Sequence, residues 1–104
     1  MSTPVLIYVT VHTEENAKLI ANAIVREKAA AAVQTSSTNS TYWWKGEIVT
    51  RTEFVLTVKT VESYYNSVRD IVDNLHTYAV PVMEMFEINK LEPSHLQWLQ
   101  DSLA

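Results

Sequence analysis

Tyr42-Trp43-Trp44-Lys45-Gly46-Glu47-Ile48 places three aromatic residues beside the only glycine of the chain, and strand-like sequence runs out from it on both sides. Glycine supplies the left-handed backbone that a tight reversal needs, so Lys45-Gly46 reads as the turn of a hairpin. No proline interrupts the arms from Ala32 to Trp44 or from Glu47 to Thr60. At about 3.3 Å per residue each arm reaches about 40 Å. A globule of about 100 residues has a radius of gyration near 13 Å, hence a diameter of about 35 Å. The tip and its two tryptophans should therefore overhang the body. Exposed tryptophans and long open strand edges invite pairing with another chain, so the expectation is an oligomer whose function sits between subunits.

Along the first arm, Thr35-Ser-Ser-Thr-Asn-Ser-Thr41 is rich in hydroxyls. It could be a linker, a bulged strand, a loop or a polar groove. The β-propensity of threonine favours an edge strand kept polar. On the second arm Phe54, Leu56 and Val58 alternate with Val55, Thr57 and Lys59, which gives one apolar face. Upstream, Val5 to Val11 is a β-branched and aromatic run that reads as a central strand buried on both faces. Thr13 is a candidate helix cap before Glu14 and Glu15, and Ala17, Ile20, Ala21 and Ile24 share one helical face closed by Lys28.

Downstream, Val61, Tyr64, Tyr65, Val68, Ile71, Val72 and Leu75 recur at three and four, the clearest amphipathic helix in the chain. A strand over Val82 to Ile88 and a short helix from Glu92-Pro93 complete the order β-α-β-β-α-β plus a final helix. That order implies an α+β, ferredoxin-like sandwich with two helices on one face of an antiparallel sheet.

The length of 104 residues fits one domain over 1–104, and 47% hydrophobic with 19% charged residues is an ordinary globular balance. A net charge of −4 and eight basic residues argue against general nucleic-acid binding, which needs a basic surface. No cysteine is present, which excludes disulfides, thiolate catalysis and sulfur-ligated metal sites. Val5 to Val11 is far too short to cross a bilayer, and Met-Ser-Thr-Pro is unlike a secretory leader, so a cytoplasmic protein is expected.

Four pieces together resemble the CutA family of divalent-cation-tolerance proteins: the strand and helix through Glu14 to Lys28, Tyr42-x-Trp44-Lys45-Gly46-Glu47-Ile48, Val58-Lys59-Thr60, and His76-x-Tyr78-x-Val80-Pro81. The resemblance covers nearly the whole chain. It implies a ferredoxin-like subunit in a tight homotrimer whose long hairpins pair across subunits, as in the related PII signalling trimers. It also implies a link to tolerance of copper and other divalent ions, with no firmly attached catalysis. Three departures bear on that link. Ala32 stands where relatives carry a cysteine, Ala79 and Val82 stand where they carry carboxylates, and the hydroxyl-rich segment lacks their Pro-Gly.

At the residue level, His76 is the candidate metal ligand, since a neutral imidazole can ligate Cu(II) or Zn(II). Its bland alternative is a ring that satisfies the last carbonyls of the preceding helix. His12 and His95 read as isolated surface histidines. Lys59 could hold an anionic ligand, pair with a carboxylate such as Glu84, or simply mark the strand's exit into solvent. Lys45 and Glu47 should make salt bridges at the hairpin tip. Tyr42, Trp43, Trp44 and Trp98 read as interface anchors rather than base-stacking platforms.

Two functions follow. One is a non-enzymatic homotrimer that captures a divalent cation, copper or a similar ion, weakly at intersubunit clefts. The other is a PII-like sensor that binds a small anion or nucleotide among Lys59, Tyr78 and Glu84 and signals to a protein partner.

Overall fold

The computed structural model describes residues 2–77 and 82–104. Tyr78 and Pro81, both part of the sequence reading, lie outside the described residues. The elements are β1 (Pro4–Val11), α1 (Glu14–Arg26), β2 (Ala32–Trp44), β3 (Glu47–Val61), a 3₁₀ turn over Glu62–Tyr64, α2 (Tyr65–Leu75), β4 (Val82–Glu87) and α3 (Pro93–Leu103). The strands form one antiparallel sheet in the order β2-β3-β1-β4, which is the ferredoxin-like arrangement with one added C-terminal helix. No helix among the described residues is long and apolar enough to cross a membrane.

The hairpin arms have the extents their sequence suggests. Lys45 (φ 50°) and Gly46 (φ 80°) both take left-handed backbone, the two-residue turn whose twist matches that of paired strands. From there β2 and β3 stay in register from Trp44↔Glu47 down to Ala32↔Lys59. Pairing of β3 with β1 begins only at Phe54↔Val11, so 38–53 form a two-stranded ribbon beyond the body. The long axis is 45 Å against 26 and 20 Å across. Trp43 and Ile48, paired near the tip, are 71% and 64% exposed. The hydroxyl-rich segment is an edge strand and not a loop, with cross-strand bonds Thr41 Oγ1 to Thr50 Oγ1 (3.0 Å) and Thr52 Oγ1 to Asn39 Oδ1 (3.2 Å).

The core fills one side of the sheet. Val5, Ile7, Val9 and Val11 of β1 meet Leu56 and Val58 of β3 beneath Ala17, Ile20 and Ile24 of α1 and Val68, Ile71 and Val72 of α2. The expectation that β1 is buried on both faces is therefore corrected. It is central, but Leu6 and Thr10 are only half-buried and Tyr8 is exposed, because both helices lie on the opposite side.

Local chemistry sets the ends of α1. Thr13 Oγ1 accepts from the Asn16 amide at 3.1 Å, the cap that the sequence suggested. At the other end Lys28, with φ 56°, takes the left-handed position after the helix. Its ammonium donates to the Ala104 carbonyl at 2.9 Å and so ties α3 to α1. Buried Leu99 anchors α3, and buried Thr60 donates to the Ala29 carbonyl at 2.7 Å.

Candidate functional site

The C-terminus of α2 brings His76 to the end of β1. Its backbone N–H donates to the Val72 carbonyl at 2.7 Å, which completes the helix. Its ring turns away from that helix, and Nε2 lies 3.2 Å from the Thr10 carbonyl. The expected bland role, a ring satisfying the last helix carbonyls, is thus filled by the backbone amide instead. A carbonyl only accepts, so Nε2 carries the proton and, in the neutral ring, Nδ1 is the basic nitrogen. A backbone carbonyl holding one ring nitrogen is also how metal-ligating histidines are commonly oriented.

Three other polar groups meet the same corner. Asn16 Nδ2 donates to the Leu75 carbonyl at 2.9 Å, while its Oδ1 is buried without a hydrogen-bond partner. His12, one residue past β1, places Nε2 3.6 Å from Glu53 Oε2 and 3.4 Å from Arg51 Nη1. Glu53 is only 5% exposed although it sits on the ribbon just beyond the last β1 pair. Burial holds the His12 pKa below its ordinary 6.5, and Arg51 and His76 push it the same way while Glu53 opposes them. His12 therefore stays neutral at pH 7, the form in which an imidazole can ligate.

His12 is not the isolated surface residue that sequence reading made it. The structure brings His12 to Arg51 and Glu53, and Asn16 to the residue before His76, positions whose spacing carries no motif. The donor types, two imidazoles, a carboxylate and an amide oxygen, suit a borderline cation such as Cu(II) or Zn(II). Among the described residues no three histidine or acidic side chains converge as a ready ligand set. His95 is not isolated either: its ring centroid lies 5.2 Å from that of Trp98, which is partly exposed on α3.

The alternative cleft residues lie further along the sheet, on the face opposite α1 and α2. Cross-strand register puts Lys59, Leu6 and Phe86 in one row and Thr57, Tyr8 and Glu84 in the next. Lys59 is half-buried and Glu84 is exposed. They form no ion pair with each other or with any other described residue. The strand β1 stands between them. Tyr78, expected beside them, is outside the described residues.

At the tip the predicted Lys45–Glu47 salt bridge is replaced by Lys45 Nζ lying 5.8 Å from the centre of the Trp44 ring. Tyr42 is half-buried, and Trp43 and Trp44 are exposed. The cavity of about 570 Å³ between the ends of α1, α2 and α3 is lined by Glu27, Lys28, Tyr64 and Asp70 among others, and by none of the site residues above.

Comparison with known proteins gives a consistent set of matches. A family model described as CutA1 divalent ion tolerance protein matches residues 5–102. "Protein CutA 1, chloroplastic" of Oryza sativa subsp. japonica is 35% identical over 99 residues, covering 94% of this chain but 56% of that longer protein. The "Divalent-cation tolerance protein CutA" of Archaeoglobus fulgidus is 33% identical over 97 residues, 93% of this chain and 95% of its own. The solved structure titled "Periplasmic divalent cation tolerance protein CutA" from the same organism superposes with a TM-score of 0.93 at 32% identity, over 97% of this chain and 99% of that one.

Proposed function

We propose, from the premise that this chain belongs to the CutA1 divalent ion tolerance family, that it is a non-enzymatic homotrimer which captures a divalent cation weakly at intersubunit clefts. His76 is the leading ligand, with copper(II) the ion its chemistry suits best. One observation carries this reading: the Thr10 carbonyl orients the His76 ring at the end of β1, within electrostatic reach of His12, which itself lies against Glu53. The missing thiolate and carboxylates make the site weak, and water or a neighbouring copy must complete the shell.

Assembly is supported by the ribbon over 38–53, whose apolar tip is exposed and whose polar edge pairs with no other strand among the described residues. Copper titration by calorimetry near neutral pH tests the cation. A saturable heat that His76→Ala abolishes is expected. The absence of any saturable heat, or heat unchanged in the variant, rejects the site.

A second reading, a PII-like sensor with a small anion at Lys59, is favoured by that half-buried ammonium having no ion pair among the described residues. It predicts a thermal shift with a nucleotide or inorganic phosphate that Lys59→Ala removes, and no shift with metal.

A further inference from the structure

Leu75 and His76 share one peptide unit, and that unit is held on both edges. The Leu75 carbonyl accepts from Asn16 Nδ2 at 2.9 Å, and the His76 N–H donates to the Val72 carbonyl at 2.7 Å. A peptide unit is planar, so two bonds on opposite edges fix the plane from which the Cα of His76 departs. Backbone at φ −76° and ψ 141° then carries the chain out of the helix. A third bond, between Nε2 and the Thr10 carbonyl at 3.2 Å, sets the ring. Thus α1, α2 and β1 each contribute one hold on a single residue.

Asn16 is built in for the first of these holds. It lies in the first turn of α1, where its backbone N–H donates to Thr13 Oγ1 at 3.1 Å, and it is 8% exposed. Only the nitrogen of its amide can donate to a carbonyl, so the side chain has one productive orientation. That orientation leaves Oδ1 buried without a partner among the described residues. An apolar side chain at this position would leave the Leu75 carbonyl unmet; asparagine meets it and leaves its own oxygen unmet instead. The number of unmet acceptors stays the same, so the bond adds little net stability. It adds direction.

We infer that Asn16 is a positioning residue for His76, acting through the Leu75 carbonyl to keep the imidazole in its Nε2–H tautomer with Nδ1 presented as the donor atom. The inference rests on the cation reading above and adds to that site a residue that does not itself touch the ion. Loss of a partner that orients a metal-ligating histidine weakens metal binding by about 10–100-fold. Asn16 acts one step further back, through the backbone.

Ring signals and copper titration test this together. The nitrogens of the isotope-labelled, metal-free chain are observed by NMR near pH 8, where an ordinary imidazole is neutral, and His76→Ala assigns the signals. The wild-type ring of His76 should show the Nε2–H pattern. Asn16→Leu removes the donor and the orphaned oxygen at similar volume. It should move the ring toward a mixture of tautomers and weaken copper binding about tenfold or more, with the melting temperature little changed. Asn16→Gln keeps a donor and should recover part of both. Thr13→Ala weakens the same turn without removing the amide, so it should lower the melting temperature and leave the ring signals unchanged.

If Asn16→Leu folds poorly, Asn16→Ala takes its place with the same expectations. Ring signals that stay at their wild-type pattern without the Asn16 amide overturn the inference, as do signals that Thr13→Ala moves equally, which would make the role merely structural. Copper binding unchanged while the ring signals move overturns the place of Asn16 in the site. A wild-type chain with no saturable copper heat rejects the cation reading alone, and the ring signals still decide the positioning.

Discussion

Leu56 and Ile48 sit on the same strand and, eight residues apart, on the same face of it, yet one is fully buried and the other is 64% exposed. Alternation along β3 makes them equivalent. The difference is cover: α1 and α2 lie over the base of the sheet, and the ribbon passes beyond their reach. Apolar surface at the base drives folding of the chain, whereas the same chemistry at the tip stays in water until another molecule covers it.

The largest expected effect breaks or upholds that contrast directly. Leu56→Ala should cost about 2–5 kcal/mol of chain stability through lost burial and a cavity. Ile48→Ala should stay within about 0.5 kcal/mol in the dilute chain. Denaturant unfolding at low protein concentration measures both, and equal losses would mean that the tip is already covered within one chain.

Next, the joint change Trp43→Ala and Trp44→Ala should leave the circular dichroism of the dilute chain unchanged. It should weaken association by about 2 kcal/mol or more, as loss of large aromatic anchors does. Sedimentation equilibrium reads this. An unchanged mass distribution would assign the tip to some other partner.

Gly46→Ala sharpens the contrast at the turn itself. No atom lies within 4 Å of the added methyl group, so the cost is backbone alone at φ +80°, about 1–2 kcal/mol. Because the turn holds the ribbon rather than the core, the loss should appear as faster amide exchange over 38–53 before it appears in global unfolding.

The smallest effect concerns pH. The folded-state pKa of His12 lies below 6.5, so as pH falls the unfolded chain takes up the proton first. Stability from this residue is therefore complete above about pH 6.5 and is lost as pH drops from there through the lowered value. His12→Gln should flatten that part of a plot of melting temperature against pH. A slope of opposite sign would place His12 in a net acidic surrounding rather than beside Arg51.

Much of the fold was legible because its signals are local. The proline-free arms and Lys45-Gly46 marked β2 and β3, and Thr13 marked the start of α1. The candidate site was legible only in part. His76 stood out by resemblance, but His12 was set aside because its neighbours Arg51 and Glu53 are about 40 positions away and meet it only where β3 outruns β1. The expected salt bridge between Lys45 and Glu47 misled: Lys45 found the Trp44 ring, because short distance in sequence does not set side-chain reach.

By itself the sequence determined the elements, their order and the alternation of each strand, since backbone sterics, turn residues and side-chain period act over a few positions. Tertiary structure alone decided which side of β1 is covered, how far the ribbon projects, that His12 lies against Glu53, and that Asn16 reaches the end of α2. Those outcomes depend on where two helices come to rest on the sheet, and that is fixed by packing between segments tens of residues apart.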